Sequence, residues 1–122
     1  MPTSHRVVIA VFPDVDLLDV TGPAEVFALA NRETSGGAGY EVRLAGPASG
    51  EVRTSAGVRL LADLSFDEVG ARVDTLLVPG AVDMTDEGPL ARIDQDVVAW
   101  VKDTAPHARR VASATARNWR RP

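Results

Sequence analysis

The sequence predicts an α/β domain built on a mainly parallel sheet, and three observations carry that prediction. Arg6–Phe12 (RVVIAVF) and Thr75–Pro79 (TLLVP) are short apolar runs rich in β-branched residues, as expected of strands covered on both faces, and Arg110–Ser113 (RVAS) begins like a third. Helical patterns stand between these runs. Clusters of Pro, Gly and Asp close the segments, so each run stays short. Strands that alternate with helices give a parallel sheet flanked by helices.

Taken in order, Arg6–Phe12 is the first strand, and Pro13-Asp14-Val15-Asp16 turns the chain after it. Thr21 is the expected N-cap of the first helix, with Gly22 and Pro23 in its first turn, where a missing N–H costs little. Val26, Phe27, Leu29 and Ala30 give that helix an apolar face. The segment from Asn31 to Gly39, with Gly36-Gly37, ends it. Tyr40–Ala45 (YEVRLA) alternates apolar and polar residues, as a strand does, and Gly46–Gly50 is a loop. Val52–Thr54 and Val58–Leu61 flank Ser55-Ala56-Gly57 and predict a small antiparallel hairpin. Phe66–Val69 reads as a short helix capped by Ser65. Ile93–Thr104 reads as a second long helix, held by Val97, Val98, Trp100 and Val101. In such a sheet the functional crevice lies at the carboxyl ends of the strands, here Phe12-Pro13, Gly46, Pro79-Gly80 and Ser113–Thr115.

The 122 residues suit one domain, with 45% apolar residues available for a core. There is no cysteine, which excludes a disulfide framework, a thiolate metal site and a cysteine nucleophile. No apolar run approaches the roughly 18–20 residues of a membrane helix, and Met1–Arg6 lacks the apolar stretch of a secretory signal. The expectation is a cytoplasmic protein with no membrane contact. Residues 107–122 hold five arginines and no acid, leaving eight basic side chains against all 17 acidic ones in the first 106 residues. An acidic body repels nucleic acid at long range, so no direct nucleic-acid binding is expected, and the basic end reads as a solvated tail.

Five pieces occur in a telling order: FPDVDLLDVTGPAEVFALAN at 12–31, YEVRLAGP at 40–47, VRTSAGVRLLAD at 52–63, DTLLVPG at 74–80 and ARRVAS at 108–113. Together they resemble the ThiJ/PfpI superfamily, with its class I glutamine amidotransferase-like fold. The nearest likeness is to the N-terminal domains of AraC-type transcription regulators, and isonitrile hydratases share the LD-x-TGP segment. The resemblance implies a flavodoxin-like sheet over residues 1–113, incomplete at the C-terminus, followed by a basic tail at 114–122 outside the family pattern.

In the family a strand leads into a sharp turn carrying a cysteine, VAS-x-C-T-G, then a helix. Such a nucleophile elbow exposes the thiol at a helix N-terminus, which lowers its pKa. Here the cysteine position matches Thr115 and the glycine position Arg117, which speaks against a tight turn. Thr115 would need an adjacent base to act, and none is visible beside it. The family's helper acid matches Asp19, a candidate acid/base; otherwise it is a carboxylate held by backbone N–H groups at a helix start. The family's glycine pair, which offers a backbone N–H to an oxyanion or ligand carboxylate, matches Gly80 and Ala81. The resemblance thus implies ligand-binding residues Asp19, Gly22, Gly80 and Ala81. Glu25, His5 and His107 read as surface residues.

These readings converge on a truncated, non-catalytic ligand-sensing and dimerisation domain of an AraC-type regulator, with a small-molecule ligand, a homodimeric state and no cofactor or metal. An isonitrile hydratase-like or glyoxalase/deglycase-like enzyme is the competing expectation, and a non-functional gene fragment the third. The likeness stops at Ser113, so the DNA beyond that codon is expected to encode a Cys-Thr-Gly elbow in another frame.

Overall fold

The computed structural model describes residues 4–33, 39–91 and 93–114. Its centre is a five-stranded parallel sheet. In chain order the elements are β1 (His5–Ala10), α1 (Leu17–Glu33), β2 (Tyr40–Gly46), the hairpin β3 (Gly50–Arg53) and β4 (Arg59–Ala62), and β5 (Leu64–Ser65). Then come β6 (Thr75–Pro79), a second hairpin of β7 (Val82–Thr85) and β8 (Gly88–Ala91), α2 (Gln95–Thr104) and β9 (Arg110–Ala114). The sheet order is β5-β2-β1-β6-β9, and every pairing in it is parallel. The parallel α/β prediction therefore holds.

The register explains the continuous apolar runs. Val7 and Ile9 of β1, with Leu77 of β6, point to the face where Val20, Ala24 and Phe27 of α1 pack. Val8 and Leu76 point to the other face, against Val69, Val73, Trp100 and Val101. Val7, Val8, Ile9 and Leu76 are completely buried, which is why β1 and β6 carry no polar side of their own. Phe66 stacks on Trp100 with ring centroids 4.2 Å apart, joining the short 3-10 turn Phe66–Glu68 to α2. That turn is capped as expected at Ser65, whose N–H donates to Glu68 Oε1 at 2.8 Å. The same bond is the main cause that lowers the Glu68 pKa.

Before β6, Asp74 Oδ2 accepts the Arg6 N–H at 2.7 Å and lies 3.5 Å from Arg72 Nη2. The Arg6 N–H, above all, holds the Asp74 carboxyl below its usual range, with Arg72, His5 and Arg109 adding to the effect against a smaller burial penalty.

Several boundaries differ from expectation. The first helix starts at Leu17, so Thr21 is not its N-cap and Pro23 lies inside it. The loop ahead of it is anchored by other elements, which lets the helix begin a full turn earlier. Thr21 instead turns its hydroxyl back on its own helix, donating to the Leu17 carbonyl at 3.1 Å. The second helix begins at Gln95 with Asp94 as N-cap, two residues after the expected Ile93. The hairpin predicted around Ser55–Gly57 is β3–β4, and Gly57 takes φ +81° in its turn, a conformation natural to glycine. The short β5 and the β7–β8 hairpin were not foreseen.

Candidate functional site

The chain reverses its direction of travel across the sheet at one place. From β1 it moves through α1 to β2 on one side, then returns as β6 on the other. The carboxyl ends of β1 and β6 border this switch point, where parallel α/β sheets open a crevice.

The Val11–Asp16 loop that leaves β1 is tied from several directions. Val11 N–H donates to the Ala45 carbonyl at 2.8 Å, Asp14 N–H to Arg53 at 2.8 Å, and Asp16 N–H to Gly80 at 2.9 Å. From the hairpin, Ser55 N–H reaches the Val15 carbonyl at 3.0 Å, and the Ser55 hydroxyl donates to Asp16 Oδ1 at 3.2 Å. Asp14 sits at φ 69°, a left-handed conformation that Asp tolerates better than most residues and that persists where the surroundings fix it. These bonds set where α1 begins and where its first turn points.

Asp19 is the third residue of α1 and is 4% exposed. Its Oδ2 accepts the Gly80 N–H at 3.2 Å. The helix dipole also favours a carboxylate in this first turn. Gly80 is bonded on both sides, since its carbonyl takes the Asp16 N–H while its own N–H goes to Asp19. The donor that the family resemblance offered to an oxyanion or ligand carboxylate is therefore aimed at the protein's own carboxylate. Ala81, next in the chain, is buried.

The structure thus brings together Asp19, Gly80 and Ala81, from segments about sixty residues apart. Gly22 lies one helical turn beyond Asp19, and a Cβ built there would meet nothing within 4 Å, so α1 borders open space at that point. Thr115 lies outside the described residues. Glu25 and His107 are exposed as expected. His5 is not a simple surface residue: it is half-buried, with Nε2 2.8 Å from Thr75 Oγ1. Sequence reasoning missed Asp16 and Ser55, whose contact fixes the loop. Their turn-forming neighbourhoods, PDVD and SAG, were the available signal. Among the described residues no cluster of three His, Asp or Glu side chains is placed to hold a metal ion.

The sequence matches the DJ-1/PfpI family over residues 5–118. The chain belongs to the DJ-1/PfpI family. A similar protein, described as "Uncharacterized protein in cpoL 5'region" of Streptomyces lividans, is 39% identical over 109 residues, which are 89% of this chain and 72% of that protein. Among solved structures, a ThiJ/PfpI family protein from Pseudomonas syringae superposes with a TM-score of 0.71 at 18% identity, over 90% of this chain and 41% of that one. An AraC family transcriptional regulator from Pseudomonas putida superposes with a TM-score of 0.68 at 17% identity, over 89% of this chain and 63% of that one. At these identities the two structures speak to the fold alone. The chain spans less than two thirds of the length of either. In this DJ-1/PfpI domain the Asp19 carboxylate rests on the Gly80 backbone at the switch point of the sheet.

Proposed function

We propose that this DJ-1/PfpI domain is a ligand-sensing and dimerising module of an AraC-type regulator that binds at the Asp19–Gly80 crevice without turning its ligand over. One observation carries the reading: the buried Asp19 carboxylate occupies the Gly80 N–H in a chain that has no cysteine. Covalent chemistry of the family's kind needs a thiolate to attack the substrate. A carboxylate beside a backbone donor offers recognition instead. A ligand that gives a hydrogen bond to Asp19 and accepts one from Gly80, as an amide does, would satisfy both groups when it displaces their mutual contact. The likeness to the Pseudomonas putida regulator supports the regulatory context through the fold. Any DNA-reading unit would lie outside the acidic part of this chain, and the site of action would be the cytoplasm. No helix among the described residues is long and apolar enough to cross a membrane.

A thermal-shift screen of small amides and carboxylates tests this. A true ligand raises the unfolding midpoint of the parent and not of Asp19→Ala, through a stabilisation that grows with concentration and reaches about 2.7 kcal/mol at a hundredfold excess over Kd. Sedimentation should show a dimer. Ligands that act equally on parent and Asp19→Ala would place the binding elsewhere. The enzyme reading has one observation in its favour, the convergence of Asp19 and Gly80, and is decided by turnover.

A further inference from the structure

The opposite end of the sheet holds a concave site. At the amino ends of β1, β6 and β9, on the face covered by α1, lies a groove of about 430 Å³. That volume falls within the roughly 300–1,000 Å³ of small-molecule sites. One wall is aromatic. Phe27 of α1 and Tyr40 of β2 lie 4.7 Å apart between ring centroids, and the His5 ring meets Tyr40 edge-on at 5.5 Å. This wall is held in place: Asn31 takes the Tyr40 N–H on Oδ1 at 2.8 Å and donates Nδ2 to the Tyr40 carbonyl at 2.9 Å. The His5–Thr75 hydrogen bond fixes the ring at its other end.

The floor follows from register. Thr75 pairs with Arg110 and Leu77 with Ala112, so these four side chains share the α1 face. Leu77 and Ala112 supply apolar surface, while Arg109 and Arg110 complete the lining. Among the described residues neither arginine forms an ion pair within 4 Å. The nearby acid, Asp74, is already held by the Arg6 N–H and by Arg72. The groove therefore combines an ordered aromatic wall, an apolar floor and two arginines that make no ion pair among the described residues.

We infer that this groove binds an aromatic oxyanion, its ring against Phe27 and Tyr40 and its carboxylate or phosphate on Arg109 and Arg110. Guanidinium groups bind such oxyanions through paired, charge-assisted hydrogen bonds. The ring covers Leu77 and Ala112, which a small inorganic anion would leave wet. The site is separate from the Asp19–Gly80 contact, which lies at the carboxyl ends of β1 and β6.

The test is a set of titrations of the full chain, followed by amide chemical shifts in NMR, with 3-phenylpropionate, phenyl phosphate and the neutral 3-phenylpropionamide. At least one of the two anions should bind saturably and at least tenfold more tightly than the amide. The larger shifts should fall on Tyr40, Thr75 and Arg110. A preference for phenyl phosphate identifies a phosphate ligand, and a preference for the acid a carboxylate. Arg110→Ala and Arg109→Ala should each weaken the anion at least tenfold, Arg110→Lys less, and Asp19→Asn not at all. Should an arginine variant fail to fold, raising salt from 0.05 to 0.5 M in the parent should weaken the anion and spare the amide. Equal affinity for anion and amide, or anion binding indifferent to both arginine changes and to salt, would overturn the inference.

Discussion

Leu76 and Val111 are neighbours in adjacent strands, paired in register, yet Leu76 is fully buried and Val111 is 48% exposed. The strands β1 and β6 are covered by α1 on one face and by α2 with the Phe66 turn on the other. β9 lies at the edge of the described sheet, and Arg110 to Ser113 are all exposed. Both regions read as strands in the sequence, although Val111 is the one β-branched residue of β9. A run of this kind specifies a strand, but the number of covered faces depends on which elements reach it. The centre of the sheet should therefore carry the stability, and β9 should contribute little side-chain burial.

The widest gap is expected between two truncations. Ile9→Ala should cost about 2–5 kcal/mol, because a fully enclosed side chain leaves a cavity that neighbours fill only in part. Val111→Ala should cost less than about 1 kcal/mol. Urea unfolding of the two variants measures the difference, and similar losses would break the comparison. Asp19→Ala comes next, at about 1–3 kcal/mol, since it removes a buried carboxylate from the part-buried Gly80 N–H. The same unfolding series reads it, and a neutral result would mean that water takes over the donor.

A third prediction concerns acid. The folded-state pKa of Asp74 is lowered, chiefly by the Arg6 N–H, so its stabilising effect is full above the unfolded value of about 4 and is lost as pH falls through the lowered value. The thermal midpoint of Asp74→Asn should lie below that of the parent at neutral pH, and the two should converge as the pH falls through that lowered value. A constant offset across that range would show that the charge is not what matters at this site. The smallest effect belongs to the edge: Val111→Ser should stay within about 0.5 kcal/mol, the range of ordinary surface changes. A larger loss would show that something covers β9 in solution.

How much of this was legible in the sequence differs by region for the same reason. Thr75–Pro79 was placed to the residue because an apolar run bounded by Asp74 and Gly80 leaves no freedom in its ends. The start of α1 was misplaced because Thr21 and Pro23 are good local signals for a helix N-terminus. The bonds that moved it, from Arg53, Ser55 and Gly80, come from residues more than thirty positions away. Asp19 and Gly80 could be named from the family pattern, but their contact could not, since only the sheet order makes β1 and β6 neighbours. The amino-end groove was invisible for a similar reason: His5 and Arg110 look like ordinary surface residues until the register aligns them across three strands.

The most direct test of the functional account is steady-state turnover. The parent, Asp19→Ala and Thr115→Ala should be assayed side by side for isonitrile hydration, glyoxalase and peptidase activity. A chain without cysteine has no thiolate to form the family's covalent intermediate, so all three proteins should remain at background. Turnover by the parent that persists in Thr115→Ala and disappears in Asp19→Ala would contradict the account, because it would make the Asp19–Gly80 crevice a cysteine-free active site.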